Sequence, residues 1–422
     1  MTASPSTLIE LLAPAGCYSS LNAAIANGAD AVYFGLAQLN MRARARRSFE
    51  REDLAEICRI CREGGVRSYL ALNTVLYEHD LKLCRELLID AAEQKASAVI
   101  LSDMAAVSMA KELGLEVHLS TQLSISNSEA VRFYADHCDR IVLARELSIP
   151  MIKKVHAEIE AKDIRGRFGK LMELEAFAHG ALCIAVSGRC SMSLYTSNAS
   201  ANRGACEQNC RKEYIVKDAN TGEEMLVDNN YIMSPNDILT LGFVDKMVDA
   251  GVQIFKIEGR GRPADYVAAV TAAYREALDA VAAGTFTQDL VHELLPKIEK
   301  VYNRGFSSGY YLGQKQGWSK ADGTKATRQK QKVGTLNHVF PKAGIISVEC
   351  CGGNFSIGDE YVIVGHTTGA VSGTVSEFRV ATDAGDLSPT SVQRGITFTM
   401  PHTDDARKGD QIYVLAPVTV KA

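Results

Sequence analysis

The strongest constraint on this chain is a rhythm. Short apolar runs, each followed by an amphipathic stretch of helix length, recur through its first two thirds, and such alternation folds as a parallel sheet with helical crossovers. Eight runs read as strands, at 9–12, 31–34, 67–72, 98–101, 116–119, 140–143, 173–177 and 252–257. The intervening helices are expected to begin near Tyr18, Glu50, Asp80, Asp103, Ser126, Ser148 and Asn236, several behind a residue that can cap free N–H groups. A last helix, at 263–283, opens on Pro263, as a first helical turn allows. This pattern predicts an α/β fold, a (β/α)8 TIM-like barrel over 1–285, with a large Cys-rich insertion at 179–235 between strands seven and eight.

Beyond it the organisation changes. Residues 286–332 read as an aromatic and basic linker. Lys315, Lys320, Lys325, Arg328, Lys330 and Lys332 face the single acid Asp322, with Tyr302, Phe306, Tyr310, Tyr311 and Trp318 as stacking surfaces that suit single-stranded RNA. Residues 333–422 alternate strand-like runs with Gly and Asp turns, which predicts a small antiparallel β-barrel. That module carries six basic against nine acidic residues, so it is a poor RNA binder alone. The whole chain of 422 residues has a formal net charge of -4, so any polyanion must be met by a local patch. No signal peptide and no membrane-length apolar run is visible, and 11 cysteines without a secretory leader point to a reducing, cytoplasmic setting.

In a barrel of this kind the C-terminal strand ends share one mouth. Here they carry Asn73, Gln122, Arg145, His179, Glu258 and Arg260, and the loop after strand two brings Arg42 and Arg44, whose guanidiniums can grip a carboxylate or phosphate bidentately. The insertion holds Cys183, Cys190, Cys206 and Cys210 in one polar segment. Four thiols in a loop can converge on a soft metal, and the spacing alone leaves zinc and an iron–sulfur cluster level.

Several motifs resemble one family. LLAPAG at 11–16, AVYFG at 31–35, MRARA at 41–45, HGALC with SGRC at 179–190, NRGAC at 202–206, KIEGR at 256–260 and YNRGF at 302–306 are similar to the collagenase-like proteins of peptidase family U32. Length and C-terminal module look most like the branch that installs 5-hydroxyuridine at the tRNA wobble position. That resemblance implies an oxygen-independent hydroxylase with tRNA as partner, prephenate or a similar small dicarboxylate as hydroxyl donor, and a 4Fe-4S cofactor. A second family subunit is left open. Sister branches hydroxylate a 23S rRNA cytidine or a ubiquinone precursor. By the same resemblance Cys183, Cys190 and Cys206 are cluster ligands, with Cys210 the choice for the fourth and Cys17 the runner-up. Arg42, Arg44, Arg145 and Arg260 would anchor the dicarboxylate, with Asn73 and Gln122 on the substrate. His179 and Glu258 are the expected proton-transfer groups. Proteolysis is the rival reading, but the chain has no HExxH helix.

Overall fold

The computed structural model describes residues 9–418 apart from 43–47, 223, 226–232, 320–322, 384 and 403. Eight parallel strands close a barrel: β1 (Glu10–Ala15), β2 (Ala31–Phe34), β3 (Arg67–Leu72), β4 (Ala98–Leu101), β5 (Val117–Leu119), β6 (Arg140–Val142) and β7 (Glu173–Ala181), then Ile254–Ile257, which pairs with both β7 and β1. The helices α1 (Tyr18–Ala26), α2 (Asp53–Glu63), α3 (Leu81–Glu93), α4 (Met104–Glu112), α5 (Ser128–Ala135) and α6 (Ile149–Ala161) cross over between the first seven. Alternation along each strand sends Leu11, Val32 and Phe34 outward into the helix-facing core, and Leu12, Tyr33 and Tyr69 inward.

Charge as well as hydrocarbon fills the barrel's lower interior. Arg140, 1% exposed, donates to Glu10 at 2.7 Å and to Glu173 at 2.8 Å, while Tyr69 donates its hydroxyl to Glu10 at 2.9 Å. Removing one member would strand a buried charge, so the network holds these strands in one register.

The departures from expectation begin at β7. This strand runs on to Ala181, past the expected end at 177, and its overhang needs backbone partners. The insertion, which carries α7 (Met192–Ser197) and a short hairpin of β8 (Val216–Lys217) and β9 (Glu224–Met225), returns to supply them. Its last segment forms β10 (Asp237–Leu239), antiparallel to β7, rather than the helix expected from Asn236. The helix α8 (Val244–Asp249) follows, then β11 (Ile254–Ile257), the closing barrel strand, and α9 (Ala264–Ala282).

The expected linker is mostly folded. The helix α10 (Gln288–Glu299) packs on α9, and β12 (Phe306–Ser307) adds in parallel to β10. Tyr311 is 2% exposed and donates its hydroxyl to the Phe177 carbonyl at 2.8 Å, so it is core, not a stacking surface. Tyr302 and Phe306 also pack against the barrel core, which leaves Tyr310 and Trp318 exposed. Arg328 and Lys330 already belong to the next unit, whose first strand starts at Arg328, ahead of the expected boundary at 333, and they pair with Glu360 and Asp265. That unit is a six-stranded antiparallel sheet with its own core, including Val333, Phe355, Phe378 and Phe398, and it rests on α1 and α9. Among the described residues no helix is long and apolar enough to cross a membrane.

Candidate active site at the barrel mouth

A cavity of about 510 Å³ opens at the C-terminal ends of the barrel strands. Its floor is built by the barrel. Asn40, buried in the loop after β2, accepts from the Arg42 backbone N–H at 3.0 Å and from Arg260 Nη1 at 3.1 Å. One amide oxygen thereby positions two arginines. Gly35 makes this possible, since a Cβ there would stand 2.5 Å from Arg260 Nη1. Arg42 Nη2 in turn bonds Glu258 Oε1 at 2.7 Å, and the Tyr33 hydroxyl reaches Glu258 Oε2 at 3.2 Å. Arg145 lies with its guanidinium carbon 4.0 Å from the Phe177 ring centroid and donates to the Ala181 carbonyl at 3.3 Å. The Nε atoms of Arg145 and Arg260 are buried with no partner among the described residues. Two donors are thus left for a ligand.

Electrostatics decides what Glu258 can do. Burial alone pushes its carboxyl up, but Arg42, Arg145 and Arg260 outweigh burial and bring the pKa down to about 2. A carboxylate held so firmly ionised is a weak proton acceptor at neutral pH and a strong anchor for Arg42. Lys256 lines the same floor, donates to Glu175 at 2.7 Å and sits 4.4 Å from the Tyr33 ring centroid. Burial pulls its pKa down, against the opposing charge of Glu175.

The Cys-rich insertion forms the roof. Cys183, Cys190, Cys206 and Cys210 all line the cavity, and all eleven cysteines of the chain are unbridged. Burial raises the Cys210 pKa, and Cys183, Cys206 and Cys190 add to the rise while Arg211 opposes it. The thiols are therefore close enough to feel one another. Among the described residues, however, no three His, Cys, Asp or Glu side chains are grouped tightly enough to hold a metal ion. Each Cys-bearing turn is tied to the barrel by a neighbour. Glu146 accepts from the Ser187 N–H at 2.7 Å and its hydroxyl at 2.9 Å, and Arg189 donates to the Gln122 carbonyl at 2.7 Å. Arg203 bonds Asp80 at 2.5 Å and stacks 4.0 Å from the Tyr77 centroid. Arg211 donates to the Leu182 carbonyl at 2.7 Å.

Of the residues singled out from sequence, Arg42, Asn73, Gln122, Arg145, Glu258, Arg260 and the four cysteines share this cavity. Asn73 donates to Ser120 Oγ at 3.2 Å, and that hydroxyl donates to Gln122 Oε1 at 3.0 Å, a polar chain along one wall. Arg44 lies outside the described residues. Cys17, at the start of α1, is not on the cavity wall; its sulfur lies 3.2 Å from Ser19 Oγ. His179 is the correction. It is 1% exposed, enclosed by Tyr266, Tyr274 and Phe306, and absent from the wall. The cause is a β-bulge: β7 shifts register against β11 after Phe177, so Phe177 pairs with Lys256 and His179 with Ile257, on the outward side. Burial and nearby Arg262 hold the imidazole pKa near 3, so it stays neutral. Four cationic wall residues had not been singled out, Arg211, Lys256, Arg262 and Arg304, although Lys256 and Arg304 lie in the KIEGR and YNRGF motifs. A lysine inside an otherwise apolar strand was the available signal for Lys256.

The profile of peptidase family U32 matches residues 16–320. The chain belongs to that family. Among U32 relatives, a protein of Porphyromonas gingivalis named collagenase is 46% identical over 405 residues, 96% of this chain and 97% of that one. The tRNA hydroxylation protein P of Escherichia coli is 27% identical over 451 residues, 94% of each chain. A 23S rRNA 5-hydroxycytidine synthase of the same organism is 34% identical over 316 residues, 73% of this chain and 46% of that protein.

Proposed function

We propose that this U32 protein is an oxygen-independent RNA hydroxylase that forms 5-hydroxyuridine at the wobble position of tRNA, with prephenate or a similar small dicarboxylate as hydroxyl source. The observation that carries the reading is the meeting of four thiols and three floor arginines on one cavity. The tRNA hydroxylation relative, alike over 94% of both chains, supports the substrate class.

In this reading Arg42, Arg145 and Arg260 bind the carboxylates, using the buried Nε donors of Arg145 and Arg260 that lack partners. Glu258 keeps Arg42 in place and stays ionised. The Asn73–Ser120–Gln122 chain faces the base with amide and hydroxyl groups. Lys256 takes the proton-transfer role expected of His179, because it lines the floor and burial brings its pKa down.

The donor set of the roof suits a 4Fe-4S cluster, with zinc the alternative: four unbridged thiols, the right kind and number, on the wall of one cavity. Cys183, Cys190, Cys206 and Cys210 would hold it. When bound, such a cluster supplies single electrons or a Lewis-acidic iron.

Two measurements test this. Anaerobic purification should give a brown protein whose visible absorption and iron content vanish in Cys206→Ala; stoichiometric zinc without iron would end the cluster assignment. Mass spectrometry of tRNA nucleosides from a deletion strain lacking paralogues should show 5-hydroxyuridine derivatives gone, and an unchanged level would end the tRNA assignment.

The collagenase name of the 46% relative favours a second reading, proteolysis. A cysteine nucleophile would need a base, and among the described residues no histidine lines the cavity. Gelatin should therefore survive incubation with pure protein.

A further inference from the structure

A second set of cations on the cavity wall takes no part in the floor site. Arg211, Arg262 and Arg304 line it together. The Arg262 guanidinium carbon is 3.5 Å from the Tyr302 ring centroid and that of Arg304 is 5.1 Å from it, so two cations share one ring. Among the described residues Arg211 donates to neutral oxygens, Ser234 Oγ and the carbonyls of Pro235 and Leu182. Asp237 stands 3.5 Å from Arg304. Among the described residues no carboxylate forms an ion pair with Arg211 or Arg262. Three partly buried cations against one acid leave charge for a ligand to neutralise.

This set is separate from the floor. Arg260 is held by Asn40 and Arg42 by Glu258, whereas Arg211 is held by Ser234, Pro235 and Leu182, and Arg262 and Arg304 lie over Tyr302. One cavity therefore has two cationic poles, with Cys210 beside the outer one. A single small dicarboxylate on the floor does not account for the second.

The chemistry of the outer ligand is indicated by Trp318, the chain's single tryptophan, which is 47% exposed. Its backbone bridges to Pro235, the residue whose carbonyl accepts from Arg211. The next residue, Ser319, donates its N–H to the Ser234 carbonyl at 2.7 Å and its hydroxyl to the Arg304 carbonyl at 2.5 Å. An exposed indole is thus fastened to the same backbone that holds two of the guanidiniums. Cations that take a phosphate, next to an aromatic face that takes a base, are the two components of single-strand recognition. A guanidinium stacked on a ring also keeps its N–H edge open to oxyanions.

We infer that Arg211, Arg262 and Arg304 clamp a backbone phosphate of single-stranded RNA, while Trp318 stacks a base beside the nucleotide that enters the cavity. The inference rests on the RNA reading above and names the residues that would position that substrate.

The test is fluorescence anisotropy of a short labelled oligouridylate with the full-length protein across a salt series. Wild type should bind with a linear fall of log K against log salt. Arg262→Ala and Arg304→Ala should each flatten that slope, and the double variant should remove about 0.7 in all, the value for one single-strand phosphate contact. Arg262→Lys, which keeps the charge, should restore the slope and guards against misfolding as the cause. Trp318→Ala should leave the slope alone and weaken binding about tenfold. Oligouridylate bound by wild type with unchanged slopes in both alanine variants overturns the clamp and leaves the RNA reading standing. Failure of wild type to bind overturns both. Equal competition by a collagen-derived peptide overturns the clamp in favour of a peptide groove.

Discussion

The floor and the roof of the cavity are built on opposite terms. Floor side chains are held by one another: Arg42 by Glu258 at 2.7 Å, Arg260 by Asn40 at 3.1 Å, Lys256 by Glu175 at 2.7 Å, on or just past the barrel strands and in the loop that follows β2. Among the described residues the roof is held mainly through the neighbours of its thiols, with Glu146, Arg189, Arg203 and Arg211 fixing the roots of turns whose sulfurs stop short of a preformed metal cluster. The difference teaches what each part is for. Under the proposed reading, a floor with charges already placed would lose little entropy on binding an anion, whereas a roof of anchored turns would take its final sulfur geometry from what it binds.

The largest test of that contrast uses acid. The Glu258 carboxyl, lowered from 4.5 to about 2 in the fold, contributes stability that is fully present above pH 4.5 and is lost as pH falls through 2. The contribution is about 3 kcal/mol. Denaturation curves against pH should therefore show a flatter acid limb in Glu258→Gln than in wild type. Identical limbs would mean that the floor is not charge-locked.

A somewhat smaller effect separates floor from roof by ligand affinity. Arg260→Ala should weaken binding of a small dicarboxylate about a hundredfold by calorimetry. Gly35→Ala should act in the same direction, because the added Cβ would stand 2.5 Å from Arg260 Nη1. In metal-free protein Cys206→Ala should change neither affinity nor stability, since Cys206 is exposed. A loss there as large as that of Arg260→Ala would show the two halves to be one site.

The smallest effect is local to the roof. Asp80→Asn removes the carboxylate charge that holds Arg203, at a cost of about 1 kcal/mol. Hydrogen exchange should speed up over 190–206 while the barrel strands keep their protection. Faster exchange throughout the barrel would break the contrast.

Much of the fold was legible because barrel strands buried on both faces read as apolar runs, and the helices between them show their polar faces. The cavity wall was legible where a residue came within three positions of a strand end, as Asn73, Gln122, Arg145 and Glu258 do. His179 misled because a bulge of one residue re-aims a side chain without leaving a mark in composition. Tyr311 misled for a related reason: an aromatic in a basic segment looks like a stacking surface until its hydroxyl is found on the Phe177 carbonyl. The strand at 237–239 was hidden because its hydrogen-bonding partner, the overhang of β7, is far away in sequence.

Local periodicity and residue chemistry were enough to determine a parallel barrel, a break carrying four thiols, and a mouth rich in arginine. Only the tertiary structure decided which of those groups meet. Direction depends on register and on pairings between distant segments, and neither is encoded in any short stretch of chain. The β7 bulge turned His179 away and left Lys256 facing the cavity, and the returning insertion placed Arg211 and Trp318 on one frame.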